Sequence, residues 1–95
     1  MIKHVVMYKL LDDSQEAKDA LVARFMSMQG KIEVLRSIEA GKDCLGSERS
    51  FDVVLICTFD SLADMQVYKD HPVHVPVMQY VKSVVAKSHS VDFQY

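Results

Sequence analysis

Three side chains that can exchange protons recur at even spacing in one short segment of the chain. Tyr68, His71 and His74 are each three residues apart, with Pro72 between the two histidines. On a continuous helix this spacing places them along one face, and the proline is expected to bend that helix or end it. Histidine changes its charge near neutral pH, and a tyrosine hydroxyl can donate a hydrogen bond to a developing oxyanion. The segment therefore predicts acid/base chemistry next to a carbonyl group, such as proton abstraction or aldol closure.

Two further polar residues fall in segments that are typical of strands. His4 shares a strand face with Val6 and Tyr8, and Asp92 lies in the last alternating segment. A carboxylate next to a histidine fixes its tautomer and leaves the other ring nitrogen free to act as a base. Each residue also has a structural interpretation. The histidines can anchor a bent helix or bond within the core, Tyr68 can pack with its hydroxyl bonded, and Asp92 can be solvated.

A metal site is an alternative explanation for the histidines. His71 and His74 are spaced so that both could bind one ion together with His4. The chain has no His-Glu-x-x-His motif and no Cys-x-x-Cys pair, which dedicated zinc sites commonly use. We therefore expect no metal site and no cofactor.

The elements that must position these residues form one α+β domain over residues 1–95. Apolar alternation predicts strands at 2–10, 34–43, 51–59 and 89–95, of which the second is the weakest. Helices are predicted to start near Asp13 or Ser14, near Asp60 or Ser61, and at about residue 75. Inward positions of the second helix are expected at Leu62, Met65 and Tyr68, and also at Val67. An antiparallel sheet with its helices on one face satisfies this order.

The strands are apolar on both faces, and this predicts a partner subunit. In the segment 51–59, Val53 and Leu55 lie on one face while Val54 and Ile56 lie on the other. Helices can cover only one face of the sheet. The other would expose an apolar area of roughly several hundred Å², which is typical of an interaction surface. Two copies packed sheet against sheet would give a closed, barrel-like homodimer.

Composition excludes several other classes of protein. The net charge is −2 and the 11 basic residues form no run, so we expect neither a nucleic-acid partner nor an electrostatic membrane anchor. No apolar stretch approaches the ~20 residues that span a bilayer. The N-terminus is typical of a strand rather than a signal peptide. Cys44 and Cys57 form no disulfide framework, and a reducing cytoplasm is therefore expected.

Three segments resemble the stress-responsive A/B barrel (Dabb) family, which belongs with the dimeric α/β-barrel proteins. They are residues 2–10 with the Lys3-His4 pair, residues 49–61, and residues 68–74 with the pattern Tyr-x-x-His-Pro-x-His. The resemblance covers nearly the whole chain, and the last motif is the most specific. It implies a ferredoxin-like βαββαβ fold with a four-stranded antiparallel sheet. It also implies a homodimer around a central barrel.

The resemblance implies site residues but no single activity. Some members are similar to plant stress proteins without a settled chemistry. A plant polyketide cyclase of the family performs an aldol closure without a metal or an organic cofactor. Its acid/base pair matches Tyr68 and His74 here, and the aspartate that orients its histidine matches Asp92. His4 and His71 match further histidines of that enzyme, whereas its substrate-lining positions match poorly.

The sequence thus predicts a cytoplasmic homodimer with a small, mostly apolar pocket in each subunit. Tyr68, His74 and Asp92 are the expected catalytic residues, with Asp92 behind His74, and His4 and His71 are expected to bind at the mouth. The chemistry would be cofactor-independent and cyclase-, lyase- or isomerase-like, on a small carbonyl or aromatic compound. The alternative is a non-catalytic stress-response or small-molecule-binding protein. A barrel interior filled by its own side chains would favour that alternative.

Overall fold

The computed structural model describes residues 1–95, which form four strands and three helices. In chain order these are β1 (Ile2–Leu10), α1 (Gln15–Met26), β2 (Ser37–Lys42), β3 (Val53–Phe59), α2 (Leu62–Asp70), α3 (His74–Val84) and β4 (Val85–Gln94). All neighbouring strands are antiparallel, in the spatial order β2-β3-β1-β4. This is the ferredoxin-like βαββαβ topology, with its second helical connection divided into α2 and α3. The predicted fold class is confirmed.

The helix boundaries follow local capping chemistry. The Ser14 side chain accepts a hydrogen bond from the backbone N–H of Ala17 at 3.2 Å and so starts α1. Ser61 does the same for α2, accepting from the N–H of Asp64 at 3.1 Å. Helix α2 ends two residues before Pro72, as the sequence predicts, because the residue before a proline disfavours helical backbone. The chain then turns and resumes as α3.

Two strand boundaries differ from the sequence-based expectation. Strand β4 begins at Val85, four residues before the predicted start, and it pairs with β1 as far as Leu10 through a bulge between Lys9 and Leu10. The first four residues of β4 are two apolar residues followed by two polar ones, so they show no alternation that would reveal a strand. Strand β2 is limited to Ser37–Lys42, because the chain just before it makes turns instead of sheet pairs.

The apolar core lies between the helices and one face of the sheet, which we call the inner face. Helix α2 contributes Met65 and Tyr68, as predicted, whereas Leu62 and Val67 are 61% and 51% exposed and were wrongly expected to point inward. Helix α2 has only nine residues and buries a narrow face. That face consists of Met65 and Tyr68, which are three residues apart. His4 shares the inner face with the buried β1 residues Ile2, Val6, Tyr8 and Leu10.

The opposite face of the sheet carries no helix. We call it the outer face, and its apolar residues are Val5, Met7, Val54, Ile56, Val91 and Phe93, which register places on one side. Three of them remain substantially exposed: Met7 at 40%, Val91 at 57% and Phe93 at 44%. The two-faced strands predicted from the sequence are therefore present. None of the helices has the length and apolar character needed to cross a membrane.

Candidate functional site

An open pocket of about 660 Å³ lies between the inner face and helices α2 and α3. Its floor comes from β1 and β3, and its walls come from α2, α3 and the first half of β4. Most of the floor and walls is apolar, including Val6, Leu55, Met78 and Val81. A pocket of this size with a few polar groups suits a small, largely apolar molecule.

His74, the first residue of α3, is buried in the wall of this pocket and is only 7% exposed. Its Nδ1 lies 2.9 Å from the backbone carbonyl oxygen of Lys69. Since a carbonyl can only accept, Nδ1 carries the hydrogen and Nε2 keeps its lone pair. Burial lowers the pKa of His74, and the charges of His4 and Lys69 lower it further against the opposing effect of the carbonyl bond. His74 is therefore a neutral imidazole at pH 7, in the state required of a general base.

Tyr68 supports His74 through ring contact. The two ring centroids are 4.2 Å apart, and the Tyr68 ring also packs at 4.9 Å from that of Phe59. The Tyr68 hydroxyl lies 3.8 Å from the Cys57 sulfur, and the whole residue is 1% exposed. Burial, followed by the influence of Cys57, raises the pKa of this hydroxyl well above its ordinary range. Tyr68 thus stays protonated, with its hydroxyl turned toward the core.

His4 and Asp92 form a side-chain pair at the edge of the same pocket. They are direct partners in the antiparallel ladder between β1 and β4, and Nδ1 of His4 bonds to Oδ1 of Asp92. His4 lines the pocket and its side chain is 13% exposed. The expectation that Asp92 stands behind His74 is wrong. Because Asp92 stands opposite His4 in the sheet, its carboxylate bonds to His4. The bend after α2 places His74 next to the backbone carbonyl of Lys69 instead.

His71 does not line the pocket, contrary to the expected binding role at its mouth. It ends α2, and its Nδ1 accepts a hydrogen bond from the backbone N–H of Val73 at 3.0 Å. Its Nε2 lies 3.4 Å from a carboxylate oxygen of Glu33 in the connection between α1 and β2. Both ring nitrogens are thus engaged in holding the bend around Pro72. This arrangement matches the structural interpretation of His71.

Sequence reasoning missed the polar contribution of α3 and β4 to the pocket. Lys82, Ser88 and Ser90 all line it. The spacing of His74, Met78 and Lys82, each four residues apart, was a usable signal, because i, i+4 positions share a helix face. Ser88 carried no such signal, since it precedes the predicted strand. No three His, Cys, Asp or Glu side chains are arranged so that they could hold a metal ion.

Comparison with known proteins identifies relatives across the full chain. The family model of the stress responsive A/B barrel domain (Dabb) matches residues 2–95. A comparison with curated proteins finds no match. Among solved structures, the chain is similar to a dimeric protein of unknown function with a ferredoxin-like fold from Bacteroides fragilis. The two are 30% identical with a TM-score of 0.83, over 99% of this chain and 95% of that one.

Two more distant structures share the fold. A Dabb family protein from Mesorhizobium loti is 20% identical, with a TM-score of 0.84 over 99% of this chain and 95% of that one. A hydroxynitrile lyase from Passiflora edulis is 19% identical, with a TM-score of 0.82 over 97% of this chain and 90% of that one. The family model covers nearly every residue, and the 30% identical relative covers 99% of the chain. The chain belongs to the stress responsive A/B barrel domain family.

Proposed function

We propose that this protein catalyses cofactor-independent acid/base chemistry on a small carbonyl compound. One observation carries the proposal: two imidazoles line the same pocket, and each has its Nδ1 engaged by an oxygen of the protein. That oxygen belongs to the Asp92 carboxylate for His4 and to the Lys69 carbonyl for His74. Both rings are therefore oriented, and both leave Nε2 for a ligand.

The two histidines suit different roles. Neutral His74 is the base that removes a proton from the carbon next to a carbonyl. His4, in its protonated form, donates from Nε2 to the carbonyl oxygen as negative charge develops there, and the Asp92 carboxylate balances its charge. Asp92 is a positioning residue in this scheme, and Tyr68 positions the His74 ring by packing. A positioned acid and base of this kind suit lyase, isomerase and cyclase reactions, and the hydroxynitrile lyase from Passiflora edulis gives an example of a lyase on this fold.

Hydrogen–deuterium exchange at carbon tests this proposal without knowledge of the natural substrate. Small β-keto compounds and aromatic ketones would first be screened by thermal shift, and the binders then incubated in D₂O with enzyme. Proton NMR follows the loss of the signal of the C–H next to the carbonyl. The variants are His4→Ala and His74→Ala. His89→Ala is the matched control, because His89 lies on the outer face opposite the pocket; light scattering checks that it keeps the oligomeric state of the wild type.

We expect exchange that falls by about 100-fold or more in His4→Ala and His74→Ala, the range typical of lost acid/base catalysis. The His89→Ala control should exchange like the wild type. Binding without exchange, with an affinity that His74→Ala leaves unaltered, would reject the acid/base proposal. That result would favour the alternative, a small-molecule-binding protein without catalysis.

The proposal includes a homodimer formed through the outer face. Its support is the exposed apolar surface at Met7, Val91 and Phe93, which no helix covers. The Bacteroides fragilis relative, at 30% identity, is described as dimeric. Packing two outer faces together would bury this surface and leave the pocket on the opposite side of each sheet.

A further inference from the structure

The pocket is bordered by positive charge and by no free carboxylate. Its lining includes Lys69 and Lys82 beside the two histidines, and it contains no Asp or Glu. The carboxylate next to it, that of Asp92, is bonded to His4. Lys87 also belongs to the lining, but its ammonium lies 5.5 Å from the centre of the Phe51 ring on the outer side and does not count toward this charge.

This positive charge is local, because the whole chain has a net charge of −2. Lys18 and Lys42, elsewhere on the surface, each lie within 4 Å of an aspartate, at 3.9 and 2.8 Å. Lys69 and Lys82 have no carboxylate within that distance. The charge of Lys69 also acts on the imidazole of His74, so it is felt inside the pocket. Two unpaired ammonium groups at the mouth of an apolar pocket favour an anion there.

We propose that the ligand of this pocket is a small apolar molecule that carries one carboxylate, bound between Lys69 and Lys82. This inference rests on the proposed function, since it names the class of carbonyl compound that His4 and His74 would act on. The apolar part of the ligand would lie against Val6, Leu55 and Val81. Its carboxylate would remain at the mouth, where both lysines are solvent-exposed.

The same surroundings argue for a carboxylate rather than a phosphate. Phosphate sites commonly use free backbone N–H groups at the start of a helix, or arginine forks. The first N–H groups of α3, those of His74 and Val75, are already bonded to the His71 carbonyl at 2.9 and 3.0 Å. No arginine lines the pocket. The pocket therefore lacks both features that phosphate sites commonly use, whereas lysine ammonium groups alone are sufficient partners for a carboxylate.

Affinity for a matched pair of inert probes tests the inference. Phenylacetate and phenylacetamide have the same apolar body and differ in charge. Each would be titrated into the ¹⁵N-labelled full chain, and shifts at backbone amides such as Ser88 and Ser90 would report binding. The variants are Lys69→Gln, Lys82→Gln and the double variant. Lys31→Gln removes the same charge at an exposed site away from the pocket and is the control.

We expect phenylacetate to bind about tenfold more tightly than phenylacetamide, and each single variant to weaken phenylacetate by about threefold to tenfold. Phenylacetamide affinity should not change in the variants. The inference is overturned by equal affinities of the two probes, by no binding of phenylacetate, or by an equal loss in Lys31→Gln. Equal loss in the control would mean that phenylacetate responds to the overall charge of the chain and not to Lys69 and Lys82 in particular.

The probes do not react, so this experiment is independent of turnover. Selective binding of phenylacetate with no carbon exchange in any compound would retain the carboxylate site and reject the acid/base function. If neutral ketones exchange at carbon but phenylacetate binds no more tightly than phenylacetamide, the acid/base function is retained and the carboxylate site is rejected.

Discussion

His4 and Asp92 face each other directly across the ladder between β1 and β4, and Nδ1 of His4 donates to Oδ1 of Asp92. The pair joins an inner strand to an edge strand at the margin of the pocket. Because the carboxylate occupies Nδ1, the tautomer of neutral His4 is fixed and Nε2 has no hydrogen-bond partner within the protein. The orientation of a pocket histidine therefore depends on the register of the sheet.

Replacing Asp92 by alanine should release the His4 tautomer. We expect the neutral His4 ring in Asp92→Ala to lose its fixed Nδ1–H form and populate the Nε2–H form, which long-range ¹H–¹⁵N NMR distinguishes. Asp92→Asn keeps an acceptor oxygen and should preserve the wild-type tautomer. The stability loss in Asp92→Ala should be about 1 kcal/mol, because both side chains are partly exposed. An unchanged His4 tautomer in Asp92→Ala would contradict this assignment.

A suitable control is Asp70→Ala. Asp70 is exposed at the end of α2 and accepts a hydrogen bond only from the Gln66 side chain at 3.2 Å. Asp70→Ala removes one negative charge, as Asp92→Ala does, but at a residue that does not line the pocket. The NMR signals of the His4 ring should therefore not change.

The sequence predicts the elements better than the contacts between their side chains. Inner-face residues such as Val6 and Leu55 follow from alternation, which is a local pattern. The pairing of His4 with Asp92 depends on which residues of β1 and β4 stand opposite each other, over 88 residues of chain. The different environments of His71 and His74 depend on the turn at Pro72, which places the His71 ring against Glu33 and the His74 ring in the wall of the pocket. Neither relationship is encoded in spacing alone.

The stability of the protein should fall as the pH is lowered through the range in which His74 titrates. Burial lowers the pKa of His74 in the folded state. Between the unfolded pKa, about 6.5, and the lower folded value, the unfolded chain binds more protons at this site, so stability rises with pH. The contribution of neutral His74 is thus present above about pH 6.5 and is lost below it. The measurement is urea unfolding at fixed protein concentration, at about pH 7.5 and about pH 5.5.

The difference between variants isolates the histidine that causes this effect. His74→Gln removes the titrating group, so its stability should change less between the two pH values than that of the wild type. His89→Gln makes the same substitution on the outer face. Light scattering checks that it keeps the oligomeric state of the wild type, and its pH dependence should then match that of the wild type. If His74→Gln and the wild type show the same pH dependence, another group is responsible.

Tyr68→Phe separates the hydroxyl of this residue from its ring. The hydroxyl contacts only the Cys57 sulfur at 3.8 Å, a weak hydrogen bond, and burial raises the pKa of that thiol to about 12. We therefore expect a loss of no more than about 1 kcal/mol in Tyr68→Phe and a loss of about 3–5 kcal/mol in Tyr68→Ala, which removes a buried ring. Denaturant unfolding measures both. Carbon exchange retained in Tyr68→Phe would show that the ring positions His74, whereas its loss would assign the hydroxyl a role in catalysis.

Val91→Glu should convert the protein into a monomer. Adjacent residues of β4 serve opposite sides of the sheet, since Ser90 lines the pocket and Val91 lies on the outer face. A dimer through that face would bury the new carboxylate against apolar side chains, at a cost of several kcal/mol. Val67→Glu is the matched control, because Val67 is 51% exposed on α2 and Val91 is 57% exposed. Light scattering at micromolar concentration should give twice the chain mass for the wild type and the control, and the single chain mass for Val91→Glu. A monomeric wild type, or a dimeric Val91→Glu, would reject the outer face as the interface.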